Sequence, residues 1–313
     1  MPSGGDTMHL NGVEIEDTFA EAFTMRAARL TITAVNETWA QHAAIAATGF
    51  ATSVIGCGVE AGMEGPTPFT PDGRAGVDCL FFASSKEDLE TNLIKRVGQA
   101  IMTSPTSACY DGGLPEFSSG YQGFSKFNIG GKLRFFGDGF QASKIIGDQR
   151  YWRIPVMEGE FLIQEEFTMA KAVGGGNFLI LAESVDAALQ ASEAAVGKMK
   201  EMRGIILPFP GGVVRSGSKV GAKYKFLSAS TNTAYCPTIR GRVENSALAE
   251  HTNAVLEIVI DGLTDRLVHQ AMEAGIREAV KVAGVHRITA GNYGGRLGKY
   301  HFHLQEILGG KES

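Results

Sequence analysis

The chain has 313 residues, 44% of them hydrophobic and 20% charged, with a formal net charge of −5 from 29 Lys and Arg against 34 Asp and Glu. Neither sign forms a block, which disfavours nucleic acid as a partner, and no apolar run approaches the roughly 20 residues that span a bilayer. Forty glycines imply many tight turns, while Cys57, Cys79, Cys109 and Cys236 are too widely spaced for a zinc site and fit reduced thiols in a cytoplasmic protein.

The first ten residues, MPSGGDTMHL, read as a disordered leader before a turn at Asn11-Gly12. Asp17 is placed to cap a short helix with Phe19, Ala22, Phe23 and Ala27 on one stripe. Residues 29–35 (RLTITAV) form a strand. Asn36 caps the next helix, with Trp39, Ala43, Ala46 and Ala47 buried and Gly49 as its stop. A strand at 51–56, a Gly/Pro loop over 58–76 and a strand at 77–83 follow. Ser85 with Asp88 opens a helix whose stripe is Leu89, Leu93, Val97, Ala100 and Ile101, and a strand at 106–110 closes the unit.

Between 111 and 150 the periodicity dissolves, apart from a strand expected at 132–137 (KLRFFG). Seven aromatic residues recur there: Phe117, Tyr121, Phe124, Phe127, Phe135, Phe136 and Phe140. They fit either an arm over a core edge or a ligand role. The second half repeats the first. A strand spans 151–164, and Gly174-Gly175-Gly176-Asn177 precede another at 178–182. A helix carries Val185, Ala188, Leu189, Ala195, Val196 and Met199. A strand at 255–261, a helix capped by Thr264, a strand at 285–290 and a tail strand at 299–304 complete it.

The order β-α-β-β-α-β therefore occurs twice. The expected fold is α/β of the α+β type: two ferredoxin-like split βαβ lobes related by internal duplication, with a cleft between them. The expected division is a leader over 1–10, a first lobe over 11–153 that includes the irregular segment 111–150, and a second lobe over 154–313.

The most distinctive stretch is 204–237, GIILPFPGGVVRSGSKVGAKYKFLSASTNTAYCP. Pro208 and Pro210 end its strand, and Gly211-Gly212 permit an unusual turn. Residues 228–232 (SASTN) are then dense in hydroxyl and amide groups. This is either a site wall or a polar surface loop. Glu257, inside VLEIVID, looks buried on both faces of a central strand. There a carboxylate loses hydration and becomes a proton donor or acceptor near neutral pH; the alternatives are a buried structural Glu held by a hydrogen bond or a solvent-facing strand residue. The glycine spacing of 212–219 imitates a phosphate loop, but Lys and Ser are transposed and Val220 replaces the metal-binding hydroxyl. His301 and His303 alternate on one strand face without a third metal ligand. No GxSxG elbow occurs.

Several blocks resemble one family. They include FFGDGFQ (135–141), IPVMEGEF (154–161), GGNFLILAES (175–184), PFPGGVVRSGSKVG (208–221), ASTNTAYCPT (229–238), EIVIDGL (257–263) and AGNYGGRLGKYHFHL (290–304). Together they are similar to the formylmethanofuran:tetrahydromethanopterin formyltransferases of methanogens and methylotrophs. The resemblance implies transfer of a formyl group between the amine of a furan-based one-carbon carrier and N5 of a reduced pterin. It implies no tightly bound cofactor and no metal, a dimer or tetramer of the chain, and possible association with hydrolase-type subunits. By resemblance Glu257 is the catalytic acid. Asn177, Phe209, Gly211, Gly212, Ser230, Thr231 and Asn232 are the candidates for substrate and oxyanion contacts. The alternatives are a non-catalytic small-molecule-binding module or a scaffold subunit of a formyltransferase/hydrolase complex.

Overall fold

The computed structural model describes residues 8–67, 69–114 and 123–309. Strands β1 (Met8–Leu10) and β2 (Val13–Ile15) form a hairpin. Its turn residues, Asn11 and Gly12, have positive φ of 51° and 81°, which matches the strand twist of a two-residue hairpin loop. Residues 8–10, expected in the leader, thus belong to the fold; residues 1–7 lie outside the described residues.

The first lobe comprises β3 (Phe19–Ala34), α1 (Glu37–Thr48), the short α2 (Val54–Cys57), β4 (Glu60–Thr67), β5 (Ala75–Ala83), α3 (Lys86–Arg96) and β6 (Ala108–Asp111). Its sheet runs β4-β5-β3-β6, antiparallel throughout. After β7 (Ser125–Asn128), α4 (Gly130–Leu133), β8 (Ala142–Ile146), β9 (Gln149–Val156) and β10 (Gly159–Gln164), the second lobe repeats the design. It uses β11 (Glu166–Ala182), α5 (Val185–Met199), β12 (Ile205–Ile206), the small hairpin β13 (Ser218–Val220) and β14 (Ala229–Thr231), β15 (Ala254–Gly262), α6 (Asp265–Ala279) and β16 (Val285–Thr289). Strand β17 (Tyr300–His303) and α7 (Leu304–Ile307) end the chain's described part. The second sheet runs β12-β15-β11-β16, so both halves have the split βαβ order read from the sequence.

Two strands weld the halves together. Residues Phe23–Ala28 of β3 pair antiparallel with Met169–Gly174 of β11, and each strand continues into its own lobe. A buried ion pair adds to this. Arg29 holds Glu64 bidentately, and Glu64 Oε1 also accepts from the backbone N–H of Gly204 in the second half (2.6 Å). Arg203 pairs with Asp78 beside it.

Several expectations are corrected. Residues 19–27, expected as a helix capped by Asp17, are strand. Alanine favours helix by propensity, but β3 has sheet neighbours on both edges and is buried on both faces, and that tertiary pairing overrides it. Residues 54–57 are helix α2, capped by Ser53, whereas the supposed loop over 58–76 holds β4. The aromatic run at 132–137 forms part of α4 and a 3-10 turn. Residues 151–164 are a hairpin, turned at Met157-Glu158 with Gly159 at φ 146°. On α1 the buried face is Ala40, Ala43, Ala44 and Ala47, leaving Trp39 and Ala46 exposed; Val185 and Leu189 of α5 are exposed as well. Of the aromatic segment, Phe127 is buried and Phe124, Phe135, Phe136 and Phe140 are exposed, while Phe117 and Tyr121 lie outside the described residues.

Candidate active site

The period of two decides which side chains meet at the site. In the β11–β15 register Asn177 lies opposite Val259 and Leu179 opposite Glu257, so these four share a face. The intervening Phe178, Ile258 and Ile260 are fully buried in the cluster formed with α5 and α6. The other face is the floor of a cleft of about 680 Å³, walled by both lobes. Glu257 is thus not buried on both faces: Val255 and Val259 on its face are half-buried, and Val259 lines the cleft with it. Withdrawal from solvent against this apolar floor pushes the Glu257 carboxyl up to about 7. Its backbone is pinned by an exchange with Val214, whose N–H donates to Glu257 O (2.7 Å) and whose carbonyl accepts from Glu257 N (2.9 Å).

The glycine-rich tail loop supplies a second wall. Glu21 of β3 is buried, which by itself would raise its pKa. Four backbone N–H groups, those of Gly298, Tyr293, Leu297 and Gly295, donate to its carboxylate at 2.5 to 2.9 Å and hold it near 2. A side chain at 298 is impossible, since a Cβ there would sit 2.5 Å from Ala22 O. The anchored loop presents Asn292 and Tyr293 to the cleft. Burial raises the Tyr293 phenol, and the nearby carboxylates of Glu257 and Glu21 raise it further, so it stays a neutral donor. Burial likewise keeps the Tyr235 phenol protonated.

Of the residues singled out from the sequence, Glu257, Asn177, Phe209 and Asn232 all line this cleft. Asn177, however, spends its amide internally. Its Oδ1 accepts from Gly291 N (2.6 Å), and its Nδ2 donates to the carbonyls of Gly175 and Gly291 (3.1 Å each). Gly211 and Gly212 do adopt the turn expected of them, with φ of 66° and 87°, but they border a separate cavity of about 180 Å³ near Met199. Ser230 donates to Gly221 O (2.7 Å) within the β13–β14 hairpin, and Thr231 Oγ1 lies 3.4 Å from Cys236 Sγ; neither side chain lines the cleft.

Glu21, Tyr293, Tyr235 and Glu60 were not read from the sequence as site residues. The signal for Glu21 and Tyr293 was the loop GNYGGRLG, whose glycines serve close approach to a carboxylate rather than to a nucleotide phosphate. The phosphate-loop imitation at 212–219 leads into β13, not a helix. His301 and His303 flank the Phe19 ring at 4.9 and 5.1 Å, and no cluster of three His, Cys, Asp or Glu is placed to hold a metal among the described residues.

Comparison with known proteins gives a consistent picture. Residues 8–156 match the family model described as formylmethanofuran-tetrahydromethanopterin formyltransferase, and residues 159–307 match that of its proximal lobe. The formylmethanofuran--tetrahydromethanopterin formyltransferase of Methylobacillus flagellatus is 56% identical over 306 residues, which span 96% of this chain and 100% of that protein. Among solved structures, the formyltransferase of Methanosarcina barkeri superposes with a TM-score of 0.87 at 48% identity, covering 96% of this chain and 100% of its own. A chain of the formyltransferase/hydrolase complex from Methylorubrum extorquens, determined with methylofuran, gives 0.91 at 46% identity over 98% and 100%.

Proposed function

The chain belongs to the formylmethanofuran-tetrahydromethanopterin formyltransferase family, and from that premise we propose how its cleft moves a formyl group between a methanofuran-type amine and N5 of a tetrahydromethanopterin-type pterin. The observation that carries the assignment is Glu257, a carboxyl raised to about 7 on the apolar floor of a large cleft that both lobes wall.

The chemistry is aminolysis of a formamide. N5 attacks the formyl carbon, the carbonyl oxygen becomes an oxyanion, and the tetrahedral species collapses with loss of the other amine. One nitrogen must release a proton and the other must gain one. A carboxyl poised near neutrality does both: as the acid it gives its proton to the departing amine, and as the resulting carboxylate it takes the N5 proton, returning to its starting form. No covalent bond to the enzyme is needed. Neutral donors at the cleft wall, the Tyr293 and Tyr235 phenols and the Asn232 amide, serve the oxyanion. Asn177 acts by positioning, since it clasps Gly291 at the base of the loop that carries Tyr293. Filling of the cleft by the two carriers keeps water from the formyl carbon.

We also propose assembly. The edge strand β8 is exposed along its whole length, and Phe135, Phe136, Phe140, Ile145 and Ile146 expose large apolar surface around it. Such an edge is normally covered, here by another copy of the chain or by hydrolase-type subunits in the cytoplasm. The function is tested by mixing the purified protein with formylated carrier and reduced pterin. Formation of the 5-formyl pterin supports it; none with active-site integrity confirmed by pterin binding would leave the binding-module alternative.

A further inference from the structure

Beyond Glu257 along β15, at the border of the cleft, two carboxyl groups meet across the lobe boundary. Asp261 of β15 is fully buried, and its Oδ1 accepts from Gly175 N at 3.0 Å. Its Oδ2 is buried with no donor facing it; its neighbour is the carboxyl of Glu60, on β4 of the first lobe. Glu60 is 8% exposed, borders the cleft, and its Oε1 accepts from Val54 N at 2.9 Å. Two carboxyls in hydrogen-bond contact are stable only with a proton between them. The fully buried Asp261 takes it, because burial and the Glu60 charge both raise it. Asp261 then donates to Glu60, whose carboxyl borders the cleft.

A carboxyl held at a substrate cleft by one internal donor and one backbone N–H still has a free lone pair on each oxygen. That geometry accepts two parallel N–H groups. Residues 257 and 261 lie on the same face of β15, about 13 Å apart at roughly 3.3 Å per residue. A pterin with a hydrogen bond at each end is of comparable length, from N5 to its 2-amino-pyrimidinone edge. Resting on the formyltransferase assignment above, we propose that Glu60 recognises the 2-amino and N3–H groups of the pterin, with Asp261 as its positioning residue, and so sets which end of the pterin reaches Glu257.

The test uses the natural pterin and a 2-deamino analogue with the intact protein. KM for the analogue should rise about 10–100-fold while KM for the formyl donor is unchanged, because a polar site rejects a ligand that leaves it unpaired. Glu60→Gln should raise the KM for the natural pterin similarly and abolish discrimination against the analogue. Asp261→Asn, which replaces the shared proton by an amide N–H, should keep the wild-type pterin KM, whereas Asp261→Ala should not. Equal KM values for the two pterins in the wild type would overturn the inference, and they can be measured even if Glu60→Gln does not fold. A rise in KM for the formyl donor instead would overturn it too. Absence of transfer with the natural pterin would remove the formyltransferase assignment itself, and the inference with it.

Discussion

Asn177 and Gly291 form a closed pair: Gly291 donates its N–H to Asn177 Oδ1 at 2.6 Å, and Asn177 Nδ2 donates back to Gly291 O at 3.1 Å. One side-chain amide thereby does for the end of β16 what another strand would do, satisfying both backbone groups of residue 291. Gly291 O also accepts from Glu21 N (3.2 Å), so Asn177→Ala should cost about 1–3 kcal/mol through the stranded Gly291 N–H and lower turnover by displacing Tyr293. Thermal melts check the first part. A variant with wild-type Tm and reduced turnover would instead put its amide in contact with substrate.

Asn232 should behave in the opposite way. Its side chain borders the cleft, and its backbone alone ties the segment to Gly217, by an N–H···O bond of 3.0 Å. Asn232→Ala should therefore slow single-turnover formyl transfer while barely changing Tm. Unfolding, with unchanged turnover per folded molecule, would show that Asn232 is structural.

Glu257→Gln should fold and lose about 10²–10⁴ in turnover. Wild-type turnover should fall as pH rises through about 7, because the acid form starts the reaction, and the variant should lack that inflection. A fall that persists unchanged in the variant would assign it to another group.

The same carboxyl makes a stability prediction of definite sign. Its folded pKa, about 7, lies above its ordinary 4.5, so its contribution is fully present below 4.5 and is lost as pH rises through 7. Glu257→Gln should match the wild type near pH 4 and exceed it at pH 8 by on the order of 2 kcal/mol, solvent contact considered. Equal stability at pH 8 would mean that the carboxyl is solvated.

Glu21 has the reverse sign. Held near 2, it stabilises the fold above about 4.5 and ceases to do so as pH falls through 2. Glu21→Gln should expose the amides of Tyr293, Gly295, Leu297 and Gly298 to rapid hydrogen exchange at neutral pH, since a carboxamide oxygen cannot accept all four donors. Unchanged protection at these four would exclude Glu21 as the anchor.

The doubled lobe order was legible because each unit carries local signals: Asn36, Ser85 and Thr264 are caps whose side chains accept from Trp39, Asp88 and Leu267, and the helices they start are where the spacing put them. Glu257 was legible as a polar residue in an apolar strand. Non-local information was not. Ala20, Ala22, Ala27 and Ala28 look helical until both edges of β3 are paired. Ser230 and Thr231 look like donors until the hairpin turns their hydroxyls toward Gly221 and Cys236. Glu21 and Tyr293 are 272 residues apart and meet only through the register of β17 on β3.

The shared register of β3 and β11 also governs how the enzyme can breathe. Six consecutive residue pairs, Phe23–Ala28 against Met169–Gly174, join the lobes by backbone pairing, which resists their swinging apart. The cleft has a fixed gauge. Dryness during transfer is then expected to come from the second carrier acting as the stopper for the first. With only one carrier seated the vessel is open, and a slow leak of formate from the bound donor is the expected signature.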